Sequence, residues 1–82
     1  MITKIEKYGA SWCEACRVLD KTLEQLADDV IEIVKYDVDE EELAEEKGIR
    51  NVPVLIFYNG DKEVKRTVGA LPLGEILKII NG

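Results

Sequence analysis

Residues 8–26 read YGASWCEACRVLDKTLEQL, and the stretch changes character at Cys13. From Cys13 to about Asp28 the apolar residues recur at helical spacing: Ala15, Leu19, Leu23 and Leu26, with Val18 and Ala27 widening the stripe. Ahead of it, ITKIEKY at 2–8 is short and β-leaning. A strand therefore passes through a short loop into a helix. The chain's 2 cysteines stand at that junction. Cys13 opens the helix, and Cys16 lies one turn in, on the side of the apolar stripe.

The rest of the chain extends this unit. VIEIVKY, 30–36, is rich in β-branched residues and reads as a strand. DEEELAEEKG, 39–48, reads as a short helix with its acids in the first turn, where the dipole favours them, and Gly48 as its stop. PVLIFY, 53–58, is a continuous apolar strand. Asn59 and Gly60 signal a hairpin, since both tolerate positive φ. KEVKRTV, 62–68, alternates and closes it. Leu73, Ile76, Leu77 and Ile80 form one face of a last helix. The order is βαβαββα, with no repeat, linker or low-complexity segment.

The composition sets limits. Eighty-two residues make one domain, 1–82. Hydrophobic residues are 46% of the chain, enough for a compact core. The net charge of -6 argues against nucleic acid and against an anionic membrane surface. The amino terminus carries no long apolar run, so no signal or membrane-spanning segment is expected. The expected location is cytoplasmic, where a lasting structural disulfide is disfavoured.

Two cysteines three positions apart can hold a metal, crosslink the fold or exchange disulfides. With no His and no second CxxC, a tetrahedral zinc site lacks ligands. At the start of a helix, Cys13 faces unsatisfied N–H groups and the positive end of the dipole. These favour the thiolate, the reactive form. Cys16 is close enough to attack a disulfide formed at Cys13. A redox pair is the favoured reading; metal handling and an inactive structural domain are the alternatives.

WCEAC after the first strand, GIRNVPVLIFYNG at 48–60 and VGAL at 68–71 resemble the thioredoxin family. The likeness runs from about Ile2 to Ile80, without the extra amino-terminal strand and helix of ordinary thioredoxins. It implies a minimal α/β thioredoxin fold: a four-stranded mixed sheet in order 2-1-3-4 with helices on both faces. The first and last helices would share one face and the acidic helix would cover the other. The resemblance implies a thiol-disulfide oxidoreductase that reduces protein disulfides, with Cys13 attacking and Cys16 resolving. Trp12 would flank the site. Pro53 would follow Val52 through a cis bond, and the backbone of Val52 would pair with an extended substrate segment. Gly69 and Ala70 would complete the apolar contact surface. No metal or organic cofactor is implied. The implied partners are disulfide-containing proteins and a thioredoxin-reductase-type flavoenzyme, acting on a monomer.

Three departures bear on tuning. Glu14-Ala15 stands between the cysteines where the family usually has Gly-Pro. Ala15 restores an N–H that proline would lack. A bond from that N–H to the Cys13 thiolate would raise the potential above the roughly -270 mV of thioredoxin, while the charge of Glu14 opposes it. Val54 follows the proline where the family usually has Thr. Lys7 occupies the place of the family's buried acid, with Glu6 beside it. Lys7 is expected to be solvated or to snorkel, with redox tuning as its other reading. A glutathione-dependent glutaredoxin is the main rival, but VGALPLG, 68–74, lacks the Gly-Gly pair that would hold glutathione. The second rival is a non-enzymatic binding module of the same fold.

Overall fold

The structure, a computed structural model, describes residues 1–26, 31–39, 47–49 and 51–82. In chain order the elements are β1 (Lys4–Gly9), α1 (Glu14–Gln25), β2 (Glu32–Asp37), β3 (Val54–Asn59), β4 (Lys62–Val68) and α2 (Leu73–Asn81). They build one four-stranded sheet in the order β2-β1-β3-β4. β1 and β2 are parallel, because a helix intervenes and parallel neighbours need such a crossover. β3 is antiparallel to β1, and β4 to β3.

Strand alternation divides the core. Ile5, Leu55 and Phe57 point to one face, where they meet Leu19 and Leu23 from α1, Leu26 at its C-cap and Ile76 from α2. Full burial of each such side chain contributes about 1.5–3 kcal/mol. Tyr8, Val54, Ile56 and Tyr58 form a second cluster on the other face, with Tyr36, Val38 and Ile49 against it. Tyr8 stacks on Tyr36, its register partner, at 5.0 Å between ring centroids. Both described helices therefore lie on one face. The acidic helix expected over 39–48 falls on residues 40–46, outside the described ones; Asp39 and Gly48 are turn residues, Gly48 at φ 70.

Several expected boundaries move for physical reasons. β1 starts at Lys4 rather than Ile2, although Ile2 is buried and Thr3 N–H bonds Tyr58 O at 2.8 Å. β2 starts at Glu32 and runs to Asp37. β3 starts after Pro53, which has no N–H for the ladder. α1 ends at Gln25, short of Asp28, because the Leu26 N–H closes a tight turn on Leu23 O at 3.0 Å. In the hairpin only Gly60 has positive φ; Asn59 does not. The ladder instead slips between Phe57 and Tyr58, leaving Val64 as an extra, exposed residue in β4. Two stripe residues also turn outward: Val18 is 58% and Leu77 39% exposed, while Ile79 packs against the core beside Ile80.

Candidate active site

The site is assembled where β1 ends. The Gly9 carbonyl accepts from Val38 N–H at 2.9 Å, and the Ala10 carbonyl from Cys13 N–H at 3.2 Å. That turn delivers Cys13 to the N-cap of α1, in extended geometry, one residue before the first helical position. An N-cap side chain accepts from the second or third helical N–H. Here Cys13 Sγ accepts from Cys16 N–H at 3.2 Å. The donor is therefore Cys16 and not Ala15, whose N–H was expected in that role.

Cys13 and Cys16 are joined as a disulfide, with Cα atoms 5.3 Å apart. Cys13 is 8% exposed and Cys16 1%. Both pack with Ala10 into a small apolar cluster, and Ala15, Val38 and Val52 lie against it. The Val52–Pro53 bond is cis. Pro53 is buried, and its carbonyl accepts from Gly69 N–H at 2.8 Å. Gly69 has φ 98, a conformation that side chains disfavour, so glycine is required there. Ala70 is exposed beside it. The structure thus brings Val52, Pro53 and Gly69 to one edge of the sheet with the cysteine cluster.

Trp12 is 67% exposed, and its Nε1–H donates to Asp39 Oδ2 at 2.8 Å. Asp39 was expected in the first turn of the acidic helix. It reaches the site because β1 and β2 are parallel and pair Gly9 with Asp37, so the loops after both strands emerge together. Glu14 is exposed in the first turn of α1.

Lys7 corrects the expectation of a solvated side chain. It is 6% exposed, and its Nζ lies 2.8 Å from Asp20 Oδ1 on α1. Lys7 follows Ile5 by two positions and so points to the same face. Asp20 follows Cys16 by one helical turn and shares its side of α1. The two periods put each side chain on one of the facing surfaces, and the packing of α1 on the sheet makes them a pair. Glu6, by contrast, points to the opposite face, away from the cysteines, and bonds Tyr8 and Tyr58.

The comparisons with known proteins agree with this geometry. The family model for thioredoxin matches residues 3–82. The chain belongs to the thioredoxin family. It is 42% identical over 78 residues to a thioredoxin of Chlorobaculum thiosulfatiphilum, covering 90% of this chain and 72% of that one. It is 36% identical over 77 residues to a thioredoxin of Chlamydia muridarum, covering 90% and 76%. Among solved structures, a mutant thioredoxin from Halobacterium salinarum superposes with a TM-score of 0.88 at 30% identity, over 95% of this chain and 71% of that one. Chloroplastic thioredoxin z gives a TM-score of 0.86 at 33% identity, over 95% and 74%. With its paired cysteines, this thioredoxin-family chain is a thiol-disulfide oxidoreductase.

Proposed function

We propose that the chain reduces disulfide bonds of protein substrates, with Cys13 as nucleophile and Cys16 as resolving thiol. The observation that carries this is the asymmetry of the pair. Cys13 Sγ sits at the helix N-cap and accepts an N–H at 3.2 Å, whereas Cys16 is buried to 1% exposure. A hydrogen bond to a charged acceptor is worth about 1.5–3 kcal/mol, so the N-cap favours the Cys13 thiolate.

The Cys13 thiolate attacks one sulfur of the substrate disulfide. That bond breaks, and the other substrate sulfur leaves as a thiolate. Cys16 then loses its proton and attacks Cys13 Sγ. The mixed disulfide breaks, the second substrate thiolate departs, and the Cys13–Cys16 bond forms. Two electrons have passed to the substrate, and a thioredoxin-reductase-type flavoenzyme in the cytoplasm returns them. Trp12, Val52, Pro53, Gly69 and Ala70 form the docking rim. An extended substrate segment pairs with the backbone of Val52, and the small residues at 69 and 70 leave room for it.

The test is covalent trapping. Cys16→Ser should accumulate a mixed disulfide with a disulfide-bonded protein, and Cys13→Ser should not. Adduct formation by Cys13→Ser alone would reverse the roles. In steady state, turnover should depend on the flavoenzyme reductase and NADPH. Equal turnover with glutathione alone would favour the glutaredoxin reading instead.

A further inference from the structure

We propose that Lys7, held by Asp20, is a positioning residue for the second sulfur transfer, its buried ammonium favouring the Cys16 thiolate as it forms. The inference deepens the proposed function and rests on Cys16 being the resolving thiol.

A buried ammonium is costly unless paired. Here the partner comes from α1: Asp20 Oδ1 lies 2.8 Å from Lys7 Nζ and 3.5 Å from Lys35 Nζ. One carboxylate thus sits between two cations, and the trio keeps a net positive charge. The sulfur of Cys16 also lies close to Lys7. A Cβ built on Gly9 would stand 2.9 Å from Lys7 Nζ and 3.2 Å from Cys16 Sγ. Ammonium and sulfur therefore flank the same glycine, with no side chain of Gly9 between them. An adjacent cation favours a thiolate over a thiol.

Among the described residues the charged surroundings are few. Asp20 faces Lys7 from α1, and Lys35 and Asp37 line the same cleft from β2. β3 places the apolar Leu55 opposite Lys7 in the ladder. The side chain of Asp20 is 33% exposed, so the cleft leads from the buried pair to solvent. When Cys16 attacks, its proton leaves to water and its sulfur takes on negative charge beside Lys7. That charge passes to the departing substrate sulfur as the Cys13–Cys16 bond forms. No further oxidant or reductant enters the step.

The experiment separates the two transfers. Reduced protein is mixed with one equivalent of dithiobis(nitrobenzoate), and release of the coloured thiolate is followed by stopped flow. The first release reports attack by Cys13, and the second reports resolution by Cys16. In Lys7→Met the ratio of the second rate constant to the first should fall about tenfold at pH 7. The pH midpoint of the second release should rise by about one unit, the pH equivalent of that tenfold. Lys7→Gln, which removes the charge but keeps a polar group beside Asp20, should move both in the same direction, and it serves if Lys7→Met does not fold. An unchanged ratio and midpoint in the folded variant overturns the inference, including the case where both rates fall together through a structural effect. If Cys13→Ser rather than Cys16→Ser keeps the first release, the roles of the cysteines are reversed and the inference falls with them.

Discussion

The Tyr58 hydroxyl donates to Glu6 Oε1 at 2.8 Å, joining residues 52 positions apart across β3 and β1. Tyr8 O–H adds a second bond at 3.1 Å, and Lys4 and Lys47 each approach the carboxylate at 3.6 Å. Burial pushes the pKa of Glu6 up. The bonds from Tyr58 and Tyr8 and the charges of Lys47 and Lys4 outweigh it, and the carboxyl is held below the ordinary 4.5. A depressed carboxyl contributes stability that is present above the unfolded value and lost as pH falls through the folded one. Glu6→Gln should therefore cost about 1.5–3 kcal/mol at pH 7, the worth of hydrogen bonds to a charged acceptor. Urea titrations should show the parent losing stability from this carboxylate on acidification below 4.5. The variant should not lose it. Parallel acid limbs would show that Glu6 is not the titrating group.

Ile76 is the one residue of α2 that is fully buried, whereas Leu77 is 39% exposed. Ile76→Ala should cost about 2–5 kcal/mol, because it opens a cavity between α2 and the sheet. Leu77→Ala should stay near 0.5 kcal/mol, as surface changes do. Urea midpoints of the two variants decide it. Equal losses would mean that α2 docks in a different rotation.

These residues show how far the sequence reached. The strand-to-helix placement of Cys13 and Cys16 and the β4 boundaries were legible, because period and turn chemistry are local; the strand order came from the family resemblance. Helix rotation was not: Val18 and Leu77 fit an apolar stripe yet face outward, since the stripe's width is set by what packs against it. The N-cap donor was missed by one residue, because the sequence does not say whether Cys13 opens the helix or caps it. Asp20 was not singled out, and Asp39 was read as the start of an acidic helix. Their partners Lys7 and Trp12 lie on other elements, and only the three-dimensional register brings them together.

The two cysteines should differ in reactivity. In the reduced protein Cys13 should alkylate at neutral pH much faster than Cys16, which is 1% exposed. Mass spectrometry of partially alkylated protein locates the label. Faster labelling at Cys16 would contradict the proposed nucleophile.

Ala15→Pro tests which N–H controls the poise. If the Ala15 N–H held the Cys13 thiolate, its loss would remove a bond worth about 1.5–3 kcal/mol. The reduced form would lose stability, and the potential would become more negative by at least about 30 mV for this two-electron couple. In the structure the bond to Cys13 Sγ comes from Cys16 N–H, which the substitution leaves in place. Ala15 is the second helical residue, and its N–H has no partner within the helix. Proline is tolerated in the first turn for that reason. The variant should therefore stay within about 30 mV of the parent when both are equilibrated against glutathione buffers. A larger negative shift would mean that reduction turns Cys13 Sγ toward Ala15, and that the residue between the cysteines sets the potential after all.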